Sequence, residues 1–215
     1  GLREIYGNSV IDYPGVWYMY RDEVKKRNYD ISNLWGKGFT LYNLLSNYQQ
    51  IDRTDIENKI KTNYFDFIIF GAIDKTQLFF DKAINSKSKI IFVDGNDSPF
   101  INEQITGKGV YFKRELISDN VKNVYPINFA IPREKIVHTI NPKPLNILAP
   151  LIPGKYSTYI YENEQDYYKI YQNSVFALTY KKMGWDSLRH YEILMNGCIP
   201  LFLNIDKCPE KILTN

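Results

Sequence analysis

The apolar residues of the chain fall into short, continuous runs that alternate with polar turns and helical stretches. Runs at 65–70 and 89–93 are dense in Ile and Phe, as strands buried on both faces of a parallel sheet require. Residues 75–85, which lie between them, have apolar positions at helical spacing. Shorter runs at 110–112 and 124–127 continue the series. This β-α-β-α-β order predicts a parallel sheet with helices on its faces.

A second region with the same rhythm follows residues 131–144, whose prolines and weak periodicity predict a linker. In this region we expect strands at 145–151, 175–179 and 199–203, and helices at 163–172 and 187–196. Gly197 stands just after the last helix, in the position that a left-handed cap requires. The sequence therefore predicts an α/β fold of two Rossmann-like β-α-β units that face each other, in domains over 1–135 and 145–215.

The first 62 residues have a weaker pattern. We expect a short strand or loop at 2–6, a Pro-Gly turn at 14–15 and an amphipathic helix that includes the charged run 21–27. A further helix is predicted at 39–48, after the turn signal Gly-Lys-Gly, and a polar, helix-favouring stretch at 52–62.

Composition narrows the class of protein. The chain has 215 residues, of which 44% are hydrophobic and 24% are charged, which is typical of a globular protein. Its net charge of +3 is too small and dispersed to predict a nucleic-acid partner, but it suits a pocket for an anionic small molecule. The two cysteines form no C-x-x-C pair, and the apolar runs are too short for a transmembrane segment. We expect a cytoplasmic protein that is part of a longer polypeptide.

The loop that follows the expected strand at 175–179 has the features of an anion site. It contains Lys181, Lys182 and Gly184, and it opens a helix that Asp186 or Ser187 can cap. Ligands of open α/β sheets bind at the carboxyl ends of strands, and a helix N-terminus with free amides suits phosphate.

Within the expected helix at 187–196, Arg189, Glu192 and Asn196 share one face. A guanidinium near the first turn can hold a diphosphate, and a carboxylate one turn on can accept both hydroxyls of a ribose. The alternative is that Arg189 and Glu192 form an ordinary i, i+3 surface ion pair. Cys198 is expected to be a small buried residue and not a nucleophile.

The run Ser187-x-Arg189-x-x-Glu192, continued by Gly-Cys-Ile-Pro at 197–200, resembles the signature S-x-R-x-x-E-A-x-x-x-G-C-I-P-V of exostosin-like glycosyltransferases. The resemblance implies a GT-B fold in which the C-terminal domain binds most of the donor. It also implies that Arg189 contacts the donor diphosphate and Glu192 the ribose. Two packing positions differ conservatively from the pattern, and Lys181-Lys182 stand where the family often has a Pro-x-Gly turn. That departure leaves the phosphate contacts of this loop open.

By this resemblance, residues 1–135 form the acceptor side and residues 145–215 bind the nucleotide sugar. The implied reaction transfers a sugar, with UDP-sugar as the leading donor, to a hydroxyl of a glycan or glycoconjugate acceptor. The nucleotide sugar is a substrate, and no cofactor is expected. The expected donor-binding residues are Lys155, Tyr180, Lys182, Ser187, Arg189 and Glu192.

The resemblance also implies a transfer that inverts the anomeric centre, with a carboxylate general base that we expect in the N-terminal unit. Asp94 and Asp97 are the leading catalytic candidates, because they follow a buried strand at its carboxyl end. Asp12 and Glu115 are alternatives, and each aspartate of the 94–97 turn also suits a turn or N-cap role.

The chain has no Asp-x-Asp motif, which metal-dependent transferases use to hold a cation on the diphosphate. We therefore expect no metal, with Arg189, lysines and the helix dipole meeting the charge of the leaving group. Two other interpretations stay open. One is a non-catalytic domain that binds a nucleotide sugar or glycan, and the other is a doubly wound domain for protein interaction.

Overall fold

The computed structural model describes residues 1–118, 121–142 and 144–213, and its strands form two parallel sheets in a mixed α/β fold. The strands are β1 (Phe67–Phe70), β2 (Lys89–Asp94), β3 (Val110–Lys113), β4 (Val124–Pro126), β5 (Asn146–Leu148), β6 (Ser174–Tyr180) and β7 (Ile199–Leu203). The helices are α1 (Leu2–Tyr6), α2 (Arg21–Lys26), α3 (Ile56–Lys61), α4 (Phe80–Ile84), α5 (Glu164–Gln172) and α6 (Leu188–Met195). Within these described ranges, no helix combines the length and hydrophobicity needed to cross a bilayer.

The first sheet has strand order β1-β2-β3-β4, so its parallel strands lie side by side in chain order. Phe92 in β2 is fully buried and packs against Phe70 and Tyr111 of the neighbouring strands. Helix α4 connects β1 to β2, but it covers only the end of the predicted stretch 75–85. Phe79, directly before it, has a left-handed φ of 58°.

The second sheet has strand order β5-β6-β7, with α5 and α6 in the two connections, as the pattern predicted. Its core is formed by buried residues of the strands, of both helices and of the segments that flank them: Ala149, Leu151, Tyr167, Tyr168, Ile170, Tyr171, Ala177, Ile193, Met195 and Cys198. Asn163 begins α5, because its side chain accepts a hydrogen bond of 2.9 Å from the Asp166 amide.

Helix α6 ends at Met195, and Gly197 follows it as the predicted left-handed cap. Gly197 has φ +73°, and its amide donates to the Leu194 carbonyl at 3.0 Å. The Cys198 amide donates to the Ile193 carbonyl at 3.2 Å, which completes a Schellman motif. Cys198 is only 2% exposed, and burial raises the pKa of its thiol to about 11, so it is a buried core residue as expected.

The N-terminal region departs from the sequence predictions. Residues 2–6 form helix α1 where a short strand or loop was expected. The helix predicted at 39–48 is wrong, because Thr40, Asn43 and Asn47 have positive φ values of 68°, 55° and 64°. An α-helix cannot contain such residues. Glu164 of α5 and Glu192 of α6 hold Thr40 in this conformation through hydrogen bonds.

The chain divides into two compact units that are interleaved in sequence. The first unit consists of 1–54, 130–179 and 189–201, and the second of 55–129, 180–188 and 202–215. These units differ from the consecutive segments 1–135 and 145–215, because the first 54 residues cluster with residues of the second sheet. The acceptor and donor roles of those two segments stay predictions.

Candidate functional site

The loop between β6 and α6 is bound by a carboxylate of the protein itself. Glu115 accepts hydrogen bonds from the Trp185 amide at 3.0 Å and from the Asp186 amide at 2.9 Å. Gly184 passes so close to Glu115 that a Cβ at this position would collide with its carboxyl group. The amides expected to be free for a phosphate are therefore already occupied at 185 and 186.

Asp186, two residues before α6, is held by two further hydrogen bonds. Its carboxylate accepts the Phe129 amide at 3.0 Å, and its carbonyl accepts a hydrogen bond from Arg114. Ser187 lies directly before the helix and is half-buried. All of these contacts lie within the second unit. Together they fix the geometry of the loop.

Arg189 occupies the first turn of α6, as predicted. Its Nη2 donates to the Tyr159 hydroxyl at 2.9 Å, and the guanidinium carbon lies 5.4 Å from the centre of the Tyr159 ring. Its buried Nε finds no hydrogen-bond partner among the described residues. A buried donor without a partner is costly, so this guanidinium has capacity for an anionic acceptor.

Glu192 lies one turn further along α6 and is 7% exposed. Its Oε1 lies 2.5 Å from the Thr40 hydroxyl oxygen, and its Oε2 accepts from the Tyr167 hydroxyl at 2.6 Å. Burial raises the pKa of the Glu192 carboxyl. This environment contradicts the alternative of a solvated surface ion pair with Arg189.

A network of hydroxyls connects Glu192 to a second carboxylate in the first unit. Thr40, Tyr168, Glu164 and Glu192 form what we call the Thr40 network. The Thr40 hydroxyl lies 2.7 Å from the Tyr168 hydroxyl, which lies 2.7 Å from Glu164 Oε1. Glu164 also accepts from the Thr40 amide and from Lys135 Nζ, each at 2.5 Å. Thr40 is fully buried at positive φ, and a β-branched residue rarely adopts that conformation unless its surroundings impose it.

Both leading candidates for the catalytic base are paired with cations in the second unit. Asp94, 5% exposed, binds Lys113 Nζ at 3.0 Å and accepts the Tyr111 hydroxyl at 2.6 Å. Asp97 binds the Arg114 guanidinium, but 45% of its side chain is exposed. Asp97 is therefore the more accessible of the two carboxylates.

The remaining predicted donor-binding residues lie on loops or strand ends. Lys155 is exposed and precedes a short 3₁₀ helix, Tyr156–Thr158, in the first unit. Tyr180 ends β6 in the second unit, and Lys182 is exposed in the loop that follows. A cleft of about 330 Å³ in this unit is lined by Tyr180, Lys181, Trp185, Leu203, Asn204 and Lys207.

Sequence reasoning missed the partners that surround α6. Thr40, Tyr159 and Tyr167 come from distant segments, and no local pattern marks them as contacts of Arg189 or Glu192.

In the described part of the chain, no group of three or more His, Cys, Asp and Glu residues is arranged to hold a metal ion. The chain matches no family model, no curated protein and no solved structure.

Proposed function

We propose that the protein is a glycosyltransferase that binds a nucleotide-sugar donor through Arg189 and moves the sugar to a glycan hydroxyl. The observation that carries the proposal is the half-buried Arg189 guanidinium, whose buried Nε has no hydrogen-bond partner in the part of the chain that the structure describes. Charge-assisted hydrogen bonds from a guanidinium suit the oxygens of a diphosphate. The resemblance of residues 187–200 to exostosin-like transferases supports the same role.

In this proposal, α6 also presents Glu192 toward the ribose, within a two-domain GT-B arrangement. The two oxygens of Glu192 are already hydrogen-bonded to hydroxyls, those of Thr40 and Tyr167. A ribose hydroxyl would have to replace one of these partners, because the carboxyl group is almost fully buried. The ribose contact therefore depends on a local rearrangement, and so does a phosphate contact with the buried Nε of Arg189.

The transfer step needs an acidic side chain that can take a proton from the acceptor. Asp97 is the preferred base, since it is much more exposed than Asp94. Its carboxylate forms an ion pair with the Arg114 guanidinium. The charge that develops on the leaving diphosphate would be met by Arg189 without a metal.

Calorimetric titration of the full chain with UDP and GDP tests donor binding. UDP is expected to bind more tightly than GDP, and Arg189→Ala to weaken UDP binding by about 10- to 100-fold, because hydrogen bonds to charged groups contribute about 1.5–3 kcal/mol. Arg133→Ala, at an exposed arginine of the same unit, is the matched control and should bind normally. Equal affinity in the wild type and Arg189→Ala would overturn the proposal.

A second candidate function, a non-catalytic binding domain, is favoured by the ion pairs that occupy Asp94 and Asp97. Transfer from UDP-sugars to a glycan panel, with and without a chelator, separates the two. Turnover that survives the chelator and is lost in Asp97→Asn supports the enzyme. Tight UDP binding with no turnover on the panel supports the binding domain.

A further inference from the structure

The Thr40 network contains more short oxygen contacts than its hydroxyls can supply with hydrogens. Three contacts run in series: Glu192 Oε1 to Thr40 Oγ1 at 2.5 Å, Thr40 Oγ1 to the Tyr168 hydroxyl at 2.7 Å, and Tyr168 to Glu164 Oε1 at 2.7 Å. All three are within the range of O–H···O hydrogen bonds. Each therefore needs one hydrogen between its oxygens.

Thr40 and Tyr168 carry one hydroxyl hydrogen each, and an ionised carboxylate carries none. If Glu164 and Glu192 were both ionised, Thr40 would donate to Glu192 and Tyr168 to Glu164. The contact between the two hydroxyl oxygens would then hold no hydrogen. One further proton in the chain removes this conflict.

Glu164 is the ionised end of the chain. Its Oε1 accepts from Tyr168, from the Thr40 amide and from Lys135 Nζ. Burial alone would raise the pKa of Glu164, but the hydrogen bonds from Lys135, the Thr40 amide and Tyr168 outweigh burial and lower it. Three donors on this one oxygen favour the ionised form of Glu164.

Glu192 is the end that can carry the proton. Burial raises the pKa of Glu192, and the negative charge of Glu164 acts in the same direction. The hydroxyls of Thr40 and Tyr167 and the charge of Arg189 oppose this effect without reversing it. Tyr171 faces the same cluster, through a hydrogen bond of 3.2 Å to Tyr167.

We propose that Glu192 is a neutral carboxylic acid and that one proton is shared along a directional chain from Glu192 through Thr40 and Tyr168 to Glu164. In this chain Glu192 donates to Thr40, Thr40 donates to Tyr168, and Tyr168 donates to Glu164. If each hydrogen moves one step, Glu164 gains a proton and Glu192 becomes ionised, with no change in total charge. The chain requires no nucleotide, so it stands or falls independently of donor binding.

The shared proton makes the stability of the first unit depend on pH. Because the pKa of Glu192 is raised on folding, its stabilising contribution is complete below the unfolded value of about 4.5. The contribution is lost as the pH rises through the folded pKa. Above that pH the Thr40 contact with Tyr168 has no hydrogen, and the strained backbone at Thr40 loses part of its support.

Infrared spectroscopy of the full chain in D₂O tests the proposal, because the C=O band of a protonated carboxyl lies apart from carboxylate bands. The wild type is expected to show such a band at neutral pD. Labelling of glutamate with ¹³C should shift it, which assigns it to Glu without any variant. Glu192→Gln should remove the band.

Tyr168→Phe separates proton sharing from simple burial. The variant removes the middle link, so an ionised Glu192 can again accept the Thr40 hydrogen without conflict. We expect the midpoint of the band titration to fall by about one pH unit, which is about tenfold in proton affinity. Tyr161→Phe, at a partly buried tyrosine packed on the same core, is the matched control and should leave the midpoint unchanged.

Two results would overturn the inference. One is the absence of a protonated glutamate band at neutral pD in the wild type. The other is a titration midpoint in Tyr168→Phe equal to those of the wild type and Tyr161→Phe, which would assign the proton affinity to burial alone.

Discussion

Breaking the buried ion pair between Lys113 and Asp94 is expected to destabilise the second unit strongly. The Lys113 side chain is 0% exposed and that of Asp94 7% exposed, with 3.0 Å between Nζ and Oδ1. Lys113→Met leaves the Asp94 carboxylate buried, with the Tyr111 hydroxyl and the Asn96 amide as its neutral donors. Removal of one partner of a buried pair costs about 3–5 kcal/mol, and that is the loss expected in the free energy of unfolding.

Urea unfolding, followed by tryptophan fluorescence, can measure this loss in the second unit alone. Of the three tryptophans in the chain, Trp185 lies in the second unit, whereas Trp17 and Trp35 lie in the first. Replacement of Trp17 and Trp35 by Phe leaves Trp185 as the reporter. The Lys113→Met measurement is then made against this background.

Two comparisons make the result specific to the buried charge. The double variant Asp94→Leu with Lys113→Met removes both charges and should recover most of the lost stability. Lys61→Met breaks an exposed pair with Glu57 in the same unit and should leave stability unchanged within error. A cost below about 1 kcal/mol for Lys113→Met, or no recovery in the double variant, would refute the reasoning. A folded double variant also allows Asp94 to be tested as a catalytic base apart from its effect on stability.

Three further predictions follow from single positions. Gly197→Ala should destabilise the first unit by about 1 kcal/mol or more in thermal unfolding, because the site has φ +73° and a Cβ would lie 3.0 Å from the Ile140 side chain. Asn163→Ala should cost about 1 kcal/mol in urea unfolding through loss of the cap on α5, whereas Asn163→Asp should retain it. Burial, followed by the hydrogen bond to Asp12, raises the pKa of Tyr20 from 10.0 to about 12. The contribution of Tyr20 to the free energy of unfolding should be complete below pH 10 and lost as the pH rises through about 12. The free energy of unfolding of Tyr20→Phe should lack this pH dependence.

Local signals predicted the two sheets well. The strand expected at 199–203 is β7, Ile199–Leu203, and that at 89–93 differs from β2, Lys89–Asp94, by one residue. Such runs are recognisable because they are rich in apolar residues, although the strands are not buried on both faces as expected: Ile199, Leu201 and Leu203 of β7 are exposed, and only alternate residues of β2 are fully buried. Asn163 and Gly197 mark the ends of helices through interactions that lie within one turn, so sequence alone could identify them.

The segment 39–48 could not be predicted in the same way. Its apolar spacing suits a helix, yet Glu164 and Glu192 hold the Thr40 amide and hydroxyl from 124 and 152 residues away. Tertiary hydrogen bonds of this kind override local propensity. No pattern within the segment contains that information.

The candidate site was likewise predicted in part. Arg189 and Glu192 lie on one helix as expected, because a helical face depends only on spacing. The cation that pairs with Asp94 depends on strand register, in which Asp94 stands opposite Lys113. The sequence predicted both strands but not which residues of the two strands lie side by side, so the ion pair was missed.

The interleaving of the two units also determines the order in which they can be completed during synthesis. Residues 1–54 leave the ribosome well before residues 189–201, which belong to the same unit and include the Glu192 that binds Thr40. The first sheet, over 67–126, is contiguous and can pair its strands while the N-terminal segment still lacks its partners. A nascent chain stopped before α6 should therefore expose residues 36–47 to protease after the first sheet has formed.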